Sequence, residues 1–131
     1  MSKQFIVTGS ILICTGILLG AFAAHALEKF TQPNLIESFE KAVRYQFYAG
    51  FALLIFGVGF EKLKCNLRWF FYLTLTGVSL FSGCIYLYCF HEKLPTLKFF
   101  VYLVPLGGIS FVIAWIVFII QFVRLQKQQE S

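Results

Sequence analysis

The chain has 131 residues, of which 59% are apolar and only 13% charged, with a net charge of +5. Soluble domains average roughly 45–50% apolar and about 25% charged residues, so the excess apolar surface must face lipid or another helix. One domain fills this length with no room for a separate water-soluble catalytic unit, and the basic residues stand in small groups beside apolar runs, the placement of headgroup anchors rather than of a nucleic-acid surface.

Four stretches contain no Lys, Arg, Asp or Glu: Gln4–Leu27, Tyr45–Phe60, Trp69–Phe90 and Phe99–Val123. The first, third and fourth, at 24, 22 and 25 residues, exceed the roughly 20 needed by a helix that crosses hydrocarbon. Lipid offers the backbone no hydrogen bonds, so such runs are helices or belong to a closed barrel. The expectation is an all-α bundle of four transmembrane helices, one integral membrane domain over 1–131, with spans at about 5–26, 42–60, 69–90 and 99–122.

The first span carries Gly16, Gly20 and Ala24 at four-residue steps, a helix-packing face that lets another backbone approach closely. Its end, Ala21-Phe22-Ala23-Ala24-His25-Ala26, has the small residues of a signal-cleavage site, but the run is longer than a signal's apolar segment, so it is read as a retained span. The long connection Glu28–Arg44 predicts a helix starting near Asn34, with Asn34 as the cap and Glu37 at the third helical position. Leu35, Phe39 and Val43 form its apolar stripe, and Glu37–Lys41 and Glu40–Arg44 are i, i+4 ion pairs. This interfacial helix runs on into the second span, because the 16 residues Tyr45–Phe60 are too few to cross the bilayer alone.

Glu61–Arg68 is a polar turn, and Trp69-Phe70-Phe71-Tyr72 opens the third span with an aromatic belt. His91–Lys98 connects to the fourth span, which Pro105 and Gly107-Gly108 interrupt early, and the tail Arg124–Ser131 is read as frayed. Four spans put both termini on one side. Lys3, Lys62, Lys64, Arg68, Arg124 and Lys127 then face Lys29, Lys41, Arg44, Lys93 and Lys98, a one-residue bias toward cytoplasmic or matrix termini.

Alternation of direction gathers the polar residues of the spans in the leaflet opposite the termini. His25, Tyr45, Gln46, Ser82, Tyr86 and Ser110 fall there, with the break at Pro105, Gly107 and Gly108. Such residues generally point into the bundle and mark either a ligand site or a packing cluster. Packing is the commoner explanation: His25 and Gln46 then bond one another or backbone groups. No metal or cofactor is expected. Cys84 and Cys89 lie about 140° apart around a helix, Cys14 is alone in its run and Cys65 sits in a loop, which suits inert thiols. His25 and His91 fall on one side, but His91 is at a span boundary and no C-x-x-C-H for haem is present.

The segments Gly20-Ala21-Phe22-Ala23-Ala24-His25-Ala26-Leu27, Tyr45-Gln46, Leu80-Phe81-Ser82-Gly83 with Tyr86, and Pro105-Leu106-Gly107-Gly108-Ile109-Ser110-Phe111 with Trp115 occur in this order. The set resembles the family called domain of unknown function 423, which includes the eukaryotic transmembrane protein 256, and it touches all four spans. The resemblance implies a four-helix membrane protein without an established activity. In the pattern it resembles, a second histidine follows the Tyr-Gln pair by three residues; here that place holds Ala49, and Ala23 stands where glycine is common.

The expected role is that of a non-enzymatic accessory or interaction component, with the lipid bilayer and other membrane proteins or itself as partners and no nucleic acid. The alternative is a small transporter or ion- or ligand-binding protein using the polar leaflet. A lipid- or quinone-directed enzyme would have only His25 with a Tyr or Ser hydroxyl, since no carboxylate lies within a span. A bacterial inner membrane and a mitochondrial membrane both suit the sequence.

Overall fold

The computed structural model describes the backbone of residues 1–63 and 65–130, and side-chain surroundings as far as residue 127. Lys64 and Ser131, named above in the basic loop and the tail, lie outside the described residues. Every regular element among the described residues is helical.

Helix α1 spans Ser2–His25 and buries Phe5, Gly9, Gly16 and Ala23. The last three recur every seven residues, which drifts only about 20° around a helix, whereas four-residue steps drift about 40° each. Ala24 is therefore turned off the seam and exposed, while Ala23 is buried. Of the expected packing face, Gly16 meets the Phe47 ring, Gly20 lies at the edge near Val43 and Ala24 takes no part. The closest approach is elsewhere. A Cβ at Gly9 would stand 2.7 Å from the Gly50 carbonyl oxygen, and one at Gly57 would stand 3.0 Å from the Ile6 amide nitrogen.

A 3₁₀ turn at Leu27–Lys29 leads to α2, Pro33–Val58. The helix starts one residue earlier than expected. Pro33 is its first helical residue, where a missing N–H and a fixed φ are harmless. Extended Gln32 precedes it and its carbonyl accepts from Leu35 and Ile36 at 3.0 and 3.1 Å, so Asn34 is not the cap. Lys41 donates to Glu37 at 2.8 Å and holds that exposed carboxyl below its ordinary value. This small contribution is present above the ordinary carboxylate pKa and fades as pH falls through the lowered one. Glu37–Lys41 is the single ion pair among the described residues, so Arg44 is not bonded to Glu40.

After one turn of helix, α3 (Phe60–Leu63), the chain forms a continuous helical run. It comprises α4 (Arg68–Gly77), a π-helical segment (Val78–Gly83) and α5 (Cys84–Tyr88). The final run begins as 3₁₀ helix at Pro95–Leu103 and becomes α6, Val104–Glu130. Pro105 is the second residue of α6, where a proline is tolerated, and the change from 3₁₀ to α helix beside it falls within the apolar run Pro95–Lys127. The expected frayed tail is instead helical to Glu130, because Arg124–Glu130 contains no Gly or Pro and consists of strong helix formers.

Three of these runs, Ser2–His25, Arg68–Tyr88 and Pro95–Lys127, are long and apolar enough to cross a membrane. Only 17%, 33% and 17% of their most apolar windows are buried, so most of that apolar surface looks outward. Helix α2 is equally long at 26 residues but more polar, and it buries ten of them. Two cores hold the helices together. Phe5, Leu53, Phe56, Phe70, Phe71 and Ala114 form the one nearer the termini. Leu27, Leu35, Phe39, Val43, Ile85 and Cys89 belong to the one at the other end.

The α1–α2 contact separates two glycines. Gly9→Ala places a methyl against backbone and is expected to destabilise by about 1–3 kcal/mol. Gly20→Ala meets only Val43 at 3.6 Å and gains helix propensity, so it is expected to change stability by less than about 1 kcal/mol. Unfolding followed by circular dichroism in detergent measures both; equal losses would refute the seam.

Candidate functional site

The polar side chains of the long helices do not converge on one pocket. They make separate links between neighbouring helices, and most of these end on α2. Gln46, buried on α2, donates from Nε2 to the Leu12 carbonyl and to Thr15 Oγ1 of α1, each at 2.8 Å. Its Oε1 accepts from the Tyr86 hydroxyl of α5 at 2.7 Å. Thr15 in turn donates to the Ile11 carbonyl at 2.8 Å, closing a chain across three helices. Both amide protons of Gln46 are used, and its oxygen has a partner.

Ser82, fully buried in the π segment, donates to the Ala42 carbonyl of α2 at 2.7 Å. Cys89 Sγ points to the Leu35 carbonyl at 3.2 Å, and Ser2 donates to the Gly57 carbonyl at 2.8 Å. Away from α2, Ser110 of α6 donates to the Leu73 carbonyl of α4 at 2.8 Å. One buried side-chain oxygen among the described residues lacks a partner, Thr31 Oγ1 in the α1–α2 connection.

Gly107 and Ser82 explain the shape of the π segment together. A Cβ at 107 would overlap the Phe81 amide nitrogen and stand 2.7 Å from the Leu80 carbonyl carbon. The widened turn is therefore where α6 rests directly on backbone while Ser82 reaches across to α2. Gly108 is different: its nearest neighbour would be Phe81 Cδ2 at 3.9 Å. Pro105 is exposed at the start of α6.

His25 is exposed at the end of α1 and makes no side-chain hydrogen bond among the described residues; it does not meet Gln46. His91 lies against Tyr88, its Nδ1 2.8 Å from that residue's carbonyl and its ring stacked at 4.4 Å. No group of three His, Cys, Asp or Glu side chains that could hold a metal occurs among the described residues.

Tyr45 joins a different feature. Its ring lies 4.6 Å from Phe81 and 6.1 Å from Phe111. There it heads a cavity of about 390 Å³ between α2, α4 and α6, lined by Tyr48, Thr74, Trp115 and Ile119 among others. The cavity runs lengthwise between α2 and α6, since Phe56, farther along α2, meets Trp115 at 5.9 Å and Phe118 at 4.6 Å. Thr15 and this groove escape sequence reasoning. Thr15 sits among apolar residues with nothing to mark its direction, and the groove is built from ordinary aromatic and aliphatic residues.

Residues 19–108 match the family model described as "Protein of unknown function (DUF423)". The chain belongs to this family. It is 36% identical over 118 residues to a UPF0382 membrane protein of Staphylococcus aureus (strain bovine RF122 / ET3-1), covering 90% of this chain and 93% of that one. It is 34% identical over 118 residues to a UPF0382 membrane protein of Staphylococcus haemolyticus (strain JCSC1435), with the same two coverages of 90% and 93%. No solved structure matches. The relatives bear the name of membrane proteins, and the long apolar helices here make this DUF423 chain a helical membrane protein as well.

Two substitutions distinguish linking residues from bystanders in this DUF423 protein. Tyr86→Phe leaves Gln46 Oε1 without its donor and is expected to lower unfolding stability in detergent by about 1 kcal/mol. His25→Ala is expected to change it by less than about 0.5 kcal/mol. A reversed order would overturn this assignment.

Proposed function

We propose that the protein crosses the bilayer four times, with α2 as the second span, and serves as a non-enzymatic accessory or interaction component of a membrane. The observation that carries the reading is the use of polar groups on α2. Gln46 and the carbonyls of Leu35, Ala42 and Gly57 are all joined to α1 or to the α4–α5 run. The Gln46 amide thus has every partner it needs from protein, as a polar side chain must where no water reaches it, and the α2 carbonyls serve as acceptors for the Ser82, Cys89 and Ser2 side chains. Ala42–Val58, the part of α2 within the second span, has 17 residues and is about 26 Å long at 1.5 Å each, so Gly59 and the turn α3 that follow bring it close to a core of about 30 Å.

The same bonds support a scaffold rather than a reaction centre. The Ser82, Ser110 and Tyr86 hydroxyls each donate to a carbonyl or amide oxygen, and none is placed against a general base. Outward faces are apolar, with Ile11, Leu18, Ile109 and Val112 each more than half exposed, which suits lipid and other membrane proteins as neighbours. The alternative, a small transporter or ion pathway, would have to open the Gln46 links during its cycle.

Cysteine accessibility in a background lacking the four native thiols tests the topology. Four spans predict that cysteines at 3 and 127 are labelled from one face of the membrane and cysteines at 28 and 93 from the other. If α2 does not cross, residues 3 and 127 fall on opposite faces. Purification from native membranes in mild detergent, with mass spectrometry, is expected to retain a stoichiometric membrane-protein partner or a second copy. Solute flux by the protein alone in proteoliposomes would instead favour transport.

A further inference from the structure

We propose that two copies of the chain associate through the outer faces of their α2 helices, the acids Glu37 and Glu40 of each copy meeting the bases Lys41 and Arg44 of the other. The inference rests on α2 crossing the bilayer, and it names a second copy as the partner in the accessory role. Depth is what makes this face demand a partner. Arg44 precedes Tyr45, whose ring packs on Phe81 and Phe111, and lies two residues before Gln46, which bonds Leu12 and Thr15. Arg44 is therefore level with the middle of the three long apolar runs, and Glu40 stands one turn nearer the membrane surface. Both are exposed, and neither has an ion pair among the described residues, where Lys41 is bonded to Glu37. Hydrocarbon does not solvate charges, which are met within a membrane by one another or by backbone carbonyls. Gln4–Leu27, Trp69–Phe90 and Phe99–Val123 contain no Lys, Arg, Asp or Glu, so the other long helices offer no countercharge at this depth. A second α2 does.

The face is also shaped for a helix. Lys41, Arg44, Tyr48, Phe51, Ile55 and Val58 are all exposed and follow one another at alternating steps of three and four, the spacing of a helix-pair seam. Ile55 and Val58 are 66% and 76% exposed, so the flanking helices do not wall the face off. A two-fold axis along the bilayer normal keeps both copies in one orientation and sets α2 parallel to α2, with like residues at like depth. Glu40 of one copy then lies beside Lys41 of the other. Arg44, one turn or about 6 Å farther along, leans toward the start of its own helix and so toward the same carboxylates. Symmetry makes every such contact twice. Each copy brings two acids and two bases, so the joined patch is neutral and needs no outside ion. Farther along, Tyr48, Phe51 and Ile55 pack against their own counterparts by the van der Waals contact that joins helices in lipid.

Oxidation of single-cysteine chains in membranes, in the background lacking the four native thiols, tests the face. Tyr48→Cys and Ile55→Cys are expected to give disulfide-linked dimers, whereas Leu18→Cys and Ile109→Cys, exposed on α1 and α6, are not. Added to Ile55→Cys, Glu40→Lys leaves one acid against three bases, and Arg44→Glu leaves three acids against one base. Each is expected to lower the dimer yield about tenfold through like-charge repulsion. Co-expressed with tags of different size, these two variants are expected to recover the yield as a mixed dimer. No dimer from positions 48 and 55, or equal yields from 18 and 109, overturns the proposal, and this comparison stands whether or not the charge variants insert. A mixture that recovers nothing overturns it too, because Glu40 and Arg44 then serve their own helix or a different protein. The labelling of residues 3 and 127 reports separately on α2: opposite faces refute the four-span reading, while one shared face without a dimer refutes this inference alone.

Discussion

Hydrocarbon cannot solvate a polar group, and that constraint organises this molecule through one side chain, Gln46. A glutamine amide offers two donors and an oxygen that must be met from within the protein. Here α1 supplies the Leu12 carbonyl and Thr15, and α5 supplies Tyr86. Three helices are thereby fixed in register at one depth, which nondirectional apolar contact could not do. Each such bond is modest, commonly about 0.6 and at most about 1.7 kcal/mol in a bundle. Their value lies in selecting one arrangement among many that would fill space equally well.

Close backbone approach is the second requirement, and the glycines provide it where the hydrogen bonds need it. Gly9 against Gly50 brings α1 and α2 near enough for the Gln46 amide to reach a main-chain carbonyl. Gly107 against Leu80 and Phe81 seats α6 on the π segment, and Ser110, one turn later on α6, reaches the Leu73 carbonyl. The wide turn at Val78–Gly83 also carries Ser82 to α2. Backbone fit and polar pairing therefore specify the same geometry, the kind of agreement between levels that gives a sequence one fold.

Helices and their approximate limits were legible in the sequence because charge-free length is a direct physical demand of the bilayer. The interior start of α2 at Pro33 and the seam of α1 were less so. The first depends on whether Gln32 or Asn34 caps the helix, Pro33 and Asn34 both being exposed, and the second on which of Ala23 and Ala24 is turned inward, a rotation of about 100° that composition alone does not resolve. The polar set was legible as a list but not as an arrangement. Gln46, Tyr86, Ser82 and Ser110 do bond between helices, whereas His25, Pro105 and Gly108 stand apart from them. Position along a span indicates depth, while partnership also needs azimuth. The π segment and the Tyr45–Trp115 groove leave no mark on sequence pattern at all.

Helix α2 shows why hydropathy and architecture need not agree. Charge and amide groups between Glu37 and Gln46 make it the least apolar of the long helices, yet it buries ten residues against its neighbours. Hydropathy scales describe transfer of a helix surrounded by lipid. Flanked by α1 on one side and the α4–α5 run on another, α2 matches Gln46 with protein groups, while Glu37, Glu40, Lys41 and Arg44 stand exposed on its outer face. On the four-span reading α2 has two faces: one, with Gln46, answers to its neighbouring helices, and the other, with Phe51, Ile55 and Val58 exposed, answers to the surrounding membrane.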